Sequence, residues 1–370
     1  MAKRLVVCCD GTWDVPDNVH HGVAAPTNVA KLALGLATGG DSDQELFYEA
    51  GVGTTPDERI LGGAFGYGLS RNVRNCYRFL AQKYEPPDDE LFLFGFSRGA
   101  YTARSLAGLI RNCGILKREH VDQVDEAFAF YRDRTSQTHP SALASQIFRK
   151  MYSHPQDEIH FIGVWDTVGA LGIPAELPGW EWLSHHLHGW EQQWGFHDTR
   201  LSSHVRYAYQ ALAVDEEREP FRPTMWDQDP AAQGQTLEQV WFAGVHTEVG
   251  GGAADPSLSD IALLWMAEKA TDCGLVFEPG QLVRGGGNGA GDAVSPNYRA
   301  LSVNSRKGIY EAIHPYHRLT HADVAAAPGQ AIASTAIRRF SERDLDYSPR
   351  GFEEYVAAHP SVVDVPEEPG

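Results

Sequence analysis

The sequence is short of basic residues, and this shortage limits the partners that the protein can have. It contains 31 lysines and arginines against 49 aspartates and glutamates, which gives a formal net charge of -18. A chain this acidic repels the phosphate backbone of nucleic acids, so we expect no nucleic-acid partner. The same charge argues against electrostatic docking on anionic lipid. The partner that we expect is therefore a substrate, either a small molecule or a lipid ester.

Paired cysteines and metal-ligand motifs are also missing. The five cysteines are Cys8, Cys9, Cys76, Cys113 and Cys273, and none of them forms a Cys-x-x-Cys motif. An odd number of scattered cysteines predicts free thiols in a reducing compartment rather than a disulfide framework or a zinc site. We predict that the protein needs no metal and no cofactor.

Long apolar runs are absent too. No run approaches the roughly 18 residues that a membrane span requires, so we expect no transmembrane segment. The first apolar run stops at Asp10 and is too short for a signal peptide. We expect a cytoplasmic protein, unless a secretion system that needs no signal peptide exports it. The sequence does not indicate an oligomeric state.

Strand and helix patterns alternate along the chain. Apolar, β-rich runs at 5–9, 45–52, 90–96, 159–165 and 240–245 predict strands, and periodic segments at 28–37, 69–84, 100–112 and 259–271 predict helices. This alternation predicts an α/β fold with a mostly parallel, doubly wound sheet. We expect a single domain over residues 1–350, followed by a C-terminal tail at 351–370.

Residues 172–200 interrupt this alternation and predict a helical or aromatic cap inserted into the domain. The segment has no clean period and carries Trp180, Trp182, Trp190 and Trp194. Aromatic side chains suit a dry, concave site for apolar substrates, so the four tryptophans are candidates for the lining of a substrate pocket. The alternative is that they only pack the cap onto the core.

The pentapeptide Gly95-Phe96-Ser97-Arg98-Gly99 matches the pattern G-x-S-x-G. The pattern alone is common, but here it lies directly between a predicted strand and a predicted helix. A nucleophile elbow is a strand-to-helix turn so tight that the flanking positions must be small. The context therefore predicts an α/β-hydrolase fold with Ser97 as its nucleophile.

A serine nucleophile needs a base, and the base needs an acid that orients it. In α/β-hydrolases these residues follow in the order serine, acid, histidine, each just past the end of a strand. Asp166 and His246 close the next two clear strands and fit this order. Asp215 also lies between Ser97 and His246 and is the alternative acid.

The oxyanion hole is expected to use the backbone N–H of Arg98, the residue after the nucleophile. A second donor normally comes from the loop after a neighbouring strand. Here that loop is Gly11-Thr12-Trp13, where glycine allows a close approach of the backbone. We expect Asp10 to shape this loop.

Several sequence blocks resemble a known family. They are Asp-Gly-Thr-Trp at 10–13, Gly-Phe-Ser-Arg-Gly-Ala-Tyr-Thr-Ala-Arg at 95–104, Val-Trp-Asp-Thr-Val-Gly at 164–169 and Gly-Val-His-Thr-Glu-Val-Gly-Gly-Gly at 244–252. They resemble the α/β-hydrolase family whose best-known members are type VI secretion phospholipase effectors, over roughly residues 3 to 350. The resemblance implies a Ser97–Asp166–His246 triad and hydrolysis of carboxylic esters, with phospholipid acyl esters as substrates of the effector members. A family block with a histidine near the C-terminus lacks that histidine here, at 332–335, which favours His246 as the base.

These observations predict a serine ester hydrolase of the lipase, phospholipase or esterase type that works through an acyl-serine intermediate. One alternative is a hydrolase-fold binding or interaction module with little catalysis, since a fold does not by itself imply a function. The other is an amide or thioester hydrolase that uses the same triad.

Overall fold

The computed structural model of the protein describes residues 3–11, 19–20, 23–39, 42–51, 64–133, 135–169, 200–229, 232–282, 294–358 and 361–366. These residues form a central sheet of eight strands, all parallel. In chain order the strands are β1 (Arg4–Cys9), β2 (Gln44–Glu49), β3 (Glu90–Phe96), β4 (Ile159–Trp165), β5 (Val205–Ala213), β6 (Thr236–Phe242), β7 (Gln330–Ala333) and β8 (Val362–Val363). Their order across the sheet is β8-β7-β6-β5-β4-β3-β1-β2.

Helices cover both faces of this sheet. They are α1 (Asn28–Gly35), α2 (Ala64–Lys83), α3 (Arg98–Cys113), α4 (Val124–Arg132), α5 (Leu143–Tyr152), α6 (His246–Gly250), α7 (Ser259–Asp272), α8 (Ala322–Ala325), α9 (Ser334–Ser341) and α10 (Phe352–Ala358). Side chains of α2–α5 pack in one apolar core, and those of α1, α6, α7, α9 and α10 pack in the other. The central strands are continuous apolar runs because both of their faces are covered.

Short elements complete the described structure. Five 3-10 helices span Arg118–Gln123, Glu219–Phe221, Gly308–Glu311, Arg318–Thr320 and Arg343–Leu345. Two small strand pairs join Val19–His20 to Val23–Ala24 and Arg200–Leu201 to Asp227–Gln228. Among the described helices, none is both long and apolar enough to cross a membrane.

The strand order reverses between β1 and β3, and this reversal marks where a ligand site is expected. The chain runs outward from β1 to β2, then returns to β3 on the other side of β1. In open α/β sheets, ligands bind in the crevice at such a switch point, beyond the carboxyl ends of the strands. The register brings Gly95 of β3 beside Cys9 of β1, and Phe96 beside Trp165 of β4. The segments that follow β1, β3 and β4 therefore leave the sheet at a common edge.

The predicted parallel, doubly wound α/β-hydrolase-type sheet is confirmed, but the sequence analysis predicts only five of its eight described strands and misses β5, β7 and β8. Strand β5 lies in the middle of the sheet and was not predicted, because polar residues interrupt its apolar pattern. Its Gln210 is fully buried and bonds Arg104 and the Thr224 carbonyl oxygen. The segment after residue 350 was predicted to be a tail. Instead it contributes α10 and β8 to the fold, with Phe352 fully buried. Its apolar residues are too few and too widely spaced to give a clear period.

The predicted cap lies almost entirely outside the described residues. Residues 170–199 are not described, and they include all four candidate pocket residues, Trp180, Trp182, Trp190 and Trp194. The cap, its tryptophans and the single-domain boundaries therefore stay predictions.

Candidate active site

Ser97 occupies the turn between β3 and α3 in a backbone conformation that few side chains adopt. Its φ is 56° and its ψ is -117°, and it is the N-cap of α3 without a side-chain capping bond. At both flanking glycines, the neighbouring backbone leaves no room for a side chain. A Cβ at Gly99 would lie 2.0 Å from the carbonyl oxygen of Cys9, and a Cβ at Gly95 would lie 2.4 Å from that of Gly99. The turn is therefore tight on both sides, and it leaves the Ser97 hydroxyl free to bond another side chain.

A chain of hydrogen bonds links Ser97 to His246 and Asp166. Nε2 of His246 lies 2.9 Å from Oγ of Ser97, and Nδ1 lies 2.5 Å from Oδ2 of Asp166. His246 is the first residue of α6, and Asp166 directly follows β4. All three side chains are buried. The structure thus brings together three residues that are 69 and 80 positions apart in the chain.

The charge of Asp166 determines the direction of these hydrogen bonds. Burial alone would raise the pKa of Asp166, but the Arg318 guanidinium and the hydrogen bond with His246 outweigh burial and hold the pKa well below its ordinary value. An ionised carboxylate only accepts hydrogen bonds, so Nδ1 of His246 carries the proton and donates it. Nε2 then presents a lone pair and accepts the hydrogen bond from the Ser97 hydroxyl.

The imidazole of His246 is enclosed by aromatic rings. The ring of Phe96 lies 4.7 Å from it and that of Phe221 lies 5.0 Å from it, centroid to centroid. Burial lowers the pKa of His246 below its ordinary value, and the hydrogen bond and charge of Asp166 offset only part of this effect. The histidine is therefore neutral at neutral pH, the form in which it can accept a proton.

Sequence reasoning missed Arg318, which is the closest charged partner of Asp166. Its Nη1 lies 2.6 Å from Oδ1 of Asp166, and its Nη2 lies 3.0 Å from Oδ2. The same two nitrogens bond the carbonyl oxygens of Ala213 and Phe221. Arg318 lies on a one-turn 3-10 helix in a segment without a recognisable motif, so no sequence signal connects it to Asp166.

A second buried carboxylate, Glu216, bonds the backbone of the base. Its Oε2 accepts the backbone N–H of His246 at 3.3 Å, and its two oxygens accept the guanidinium of Arg218 at 2.9 and 2.8 Å. Ser305 donates to it as well, at 3.0 Å. Burial would raise the pKa of Glu216, but the bond and charge of Arg218 bring the pKa below its ordinary value. Arg218 thus neutralises the carboxylate that bonds the backbone of His246.

The structure places the alternative acid away from the base. Oδ2 of Asp215 accepts the backbone N–H of Gly244 at 2.6 Å, and the Tyr347 hydroxyl lies 3.0 Å from both carboxylate oxygens. Burial raises the pKa of Asp215 to about 6. Asp166, and not Asp215, is therefore the carboxylate that contacts His246.

The predicted oxyanion donors are described only in part. Arg98 is the first residue of α3, where backbone N–H groups have no acceptor within the helix. The N–H of Gly11 donates to Oδ1 of Asp10 at 2.7 Å, and Oδ2 of this buried carboxylate accepts from Thr27 at 2.9 Å and also from Tyr48. Thr12 and Trp13 lie outside the described residues.

The chain is similar to three known proteins. A relative from Saccharomyces cerevisiae, described as uncharacterized protein YEL023C, is 28% identical over 241 residues, which cover 60% of this chain and 32% of that protein. The chain thus spans about a third of that relative's length. A crystal structure of an uncharacterized protein from Pseudomonas aeruginosa has a TM-score of 0.47 and 18% identity, over 80% of this chain and 49% of the other. The structure of the Tle1 effector bound to the VgrG spike of the type VI secretion system has a TM-score of 0.37 and 18% identity, over 68% and 51% of the two chains.

A family model identifies the chain more directly. It matches residues 3–269 and is described as the catalytic domain of Tle1-like phospholipase effectors of type VI secretion. The matched range covers more than half of the chain and includes Ser97, Asp166 and His246. The chain therefore belongs to the Tle1-like catalytic-domain family of type VI secretion phospholipase effectors.

Proposed function

We propose that the protein hydrolyses carboxylic esters through an acyl intermediate on Ser97. The observation that carries this proposal is the continuous hydrogen-bond chain from the Ser97 hydroxyl through His246 to Asp166. A serine hydroxyl is a weak nucleophile by itself, and this chain supplies the base and the orienting acid that activate it. Family membership supports the same class of chemistry, because the family is described by its phospholipase effectors.

The proposed reaction has two halves. Oγ of Ser97 attacks the ester carbonyl carbon while Nε2 of His246 takes the hydroxyl proton, and the imidazolium then gives this proton to the leaving alcohol oxygen. Water attacks the acyl-serine in the second half, and His246 again takes and returns a proton. Asp166 stays ionised, because the pKa of its carboxyl is depressed, and the carboxylate stabilises the imidazolium of His246.

The negative oxygen of the tetrahedral intermediate requires donors beside Ser97. The backbone N–H of Arg98, at the N-terminus of α3, is the proposed first donor. The loop Gly11-Thr12-Trp13 is the proposed source of the second donor; in the described part of this loop, the N–H of Gly11 donates to Asp10. One such donor contributes about 3 kcal/mol to the stabilisation of the transition state.

We further propose that the substrates are lipid esters, with the family's phospholipase description and the tryptophans of the predicted cap as support. A series of p-nitrophenyl esters of increasing acyl length, together with a phospholipid, tests this. We expect kcat/KM to rise with acyl length and the phospholipid to be cleaved. Activity confined to short esters would refute the lipid proposal and leave the esterase proposal standing. The p-nitroanilide of the best acyl group tests amide hydrolysis by the same residues.

A fluorophosphonate probe tests the nucleophile. We expect the wild-type protein to be labelled and Ser97→Ala to stay unlabelled. Ser105→Ala is the matched control, because Ser105 is a buried serine two turns further along the same helix. It should be labelled like the wild type. A folded wild-type protein that neither reacts with the probe nor cleaves any ester would contradict the proposal and favour a binding or interaction module.

A further inference from the structure

Arg318 contacts Asp166 and the backbone with both of its terminal nitrogens. The side chain is fully buried, and it lies 152 residues after Asp166 in the chain, beyond the range matched by the family model. Its two terminal nitrogens make four hydrogen bonds, two to Asp166 and two to the backbone carbonyl oxygens of Ala213 and Phe221. The guanidinium is thus fixed by the backbone on one side and holds a carboxylate on the other.

We propose that Arg318 is a positioning residue for the reaction: it orients the Asp166 carboxylate toward His246 and keeps the Asp166–His246 pair free of an extra proton at neutral pH. This inference rests on the proposed function and adds to it a residue that acts through Asp166 without touching the substrate.

The first argument is geometric. Oδ1 of Asp166 accepts from Arg318 and from the backbone N–H of Ala213 at 3.0 Å, while Oδ2 accepts from Arg318 and from His246. Each carboxylate oxygen thus has two donors, and rotation of the carboxylate would break several bonds at once. A planar guanidinium matches a carboxylate with two parallel hydrogen bonds, which an ammonium group does not reproduce.

The second argument concerns charge. Asp166 and His246 are so close that they titrate as a pair. The active form has an ionised Asp166 and a neutral His246, and the binding of one further proton to this pair makes the base inactive. A buried cation beside the pair opposes the binding of that proton, whichever of the two residues would hold it. Removing the Arg318 charge must therefore raise the apparent pKa of the pair, and the base then stays protonated up to higher pH.

The other charged groups around the pair do not replace Arg318. In the part of the chain that the structure describes, Glu216 faces the backbone of His246, and Arg218 pairs with Glu216. At the imidazole, the charge of Glu216 raises the pKa of His246 and the charge of Arg218 lowers it, so the two oppose each other. The rings of Phe96 and Phe221, which pack against the imidazole, carry no charge. Arg318 is thus the cation that bonds Asp166 directly.

The experiment compares kcat, KM and the pH profile of kcat/KM in three variants. Arg318→Met removes the charge and the hydrogen bonds, and Arg318→Lys keeps only the charge. Arg339→Met is the matched control, because Arg339 is also a buried arginine but bonds the carbonyl oxygens of Tyr298 and Ala300 rather than Asp166.

For Arg318→Met we expect a fall in kcat/KM of about 10²-fold at neutral pH, smaller than the ~10⁴-fold effect of a wrong histidine tautomer. The loss should be mainly in kcat, and the acidic limb of the profile should move up by about one pH unit or more, the usual effect of a neighbouring opposite charge. Arg318→Lys should keep the position of the limb while kcat falls. Arg339→Met should keep both the limb and kcat.

An unchanged acidic limb in a folded Arg318→Met variant would overturn the proposal, because a merely structural role lowers activity equally at all pH values. If this variant does not fold, Arg318→Lys decides, and an unchanged kcat in it would overturn the orienting role. NMR titration of the His246 imidazole nitrogens separates this proposal from the proposed function, because it needs no turnover. A midpoint that is equal in wild type and Arg318→Met refutes the role of Arg318 even if the protein has no esterase activity.

Discussion

Replacing Asp166 by asparagine exchanges a carboxylate that accepts four hydrogen bonds for an amide that accepts at only one oxygen. The wild-type carboxylate receives two bonds from Arg318, one from Ala213 N–H and one from His246. Whichever way the amide is turned, its NH₂ group faces two donors. If the amide oxygen faces Ala213, the NH₂ group faces Nδ1 of His246, and the imidazole must take the other tautomer. Nε2 then carries a proton and cannot accept the one from Ser97.

Two magnitudes follow from this geometry. A wrong histidine tautomer lowers kcat by about 10⁴-fold in serine hydrolases of this kind, equivalent to about 5 kcal/mol of transition-state stabilisation. The substitution also leaves the buried Arg318 without a counter-charge, and removal of one partner from a buried ion pair costs about 3–5 kcal/mol of stability. The double variant Asp166→Asn/Arg318→Met should regain much of this stability while remaining inactive.

Ester hydrolysis measures the first effect and urea unfolding measures the second. Asp215→Asn is the matched control, because Asp215 is also a buried aspartate beyond a central strand but bonds Gly244 and Tyr347 instead of His246. It should keep kcat within a few-fold of the wild-type value. If Asp166→Asn retained more than a tenth of the wild-type kcat, or if Asp215→Asn lost as much activity as Asp166→Asn, the assignment of the acid would be refuted.

Three further predictions concern stability. Gly99→Ala should lower the free energy of unfolding by about 3 kcal/mol in urea titrations, because the new Cβ would lie 2.0 Å from a carbonyl oxygen of β1; Gly169→Ala, whose Cβ would meet nothing within 4 Å, should change it far less. Burial raises the pKa of Asp215 from 3.8 to about 6. Asp215 therefore ionises at lower pH in the unfolded chain than in the folded protein, and the free energy of unfolding falls as pH rises between these two values. Asp215→Asn lacks this loss. The free energy of unfolding of the variant minus that of the wild type should therefore be about 3 kcal/mol higher at pH 8 than at pH 3.5. If this difference were equal at the two pH values, the burial argument would be wrong. The depressed pKa of Asp166 has the opposite sign: its stabilisation is present above about pH 4 and should disappear as pH falls, so wild type should lose stability in acid more steeply than the Asp166→Asn/Arg318→Met double variant.

Much of the fold was predictable from local patterns. Strands β1, β3 and β4 are continuous apolar runs, and such runs indicate strands covered on both faces. Strand β5 escaped prediction because its buried Gln210 has the polarity of a surface residue. Only its hydrogen bonds to Arg104 and Thr224 explain why it can lie in the core. Periodicity reports which residues are apolar, and it does not report which polar residues find partners inside.

The sequence by itself determined that Ser97 lies in a tight turn between a strand and a helix, because the small residues at 95 and 99 and the flanking apolar patterns are local features. It also restricted the acid to two aspartates by their order in the chain. Only the tertiary structure decided between them, since the contact of Asp166 with His246 depends on how β4 and α6 meet at the sheet edge. Arg318 could be found only in the fold, because a hydrogen bond across 152 residues arises from packing and leaves no local pattern.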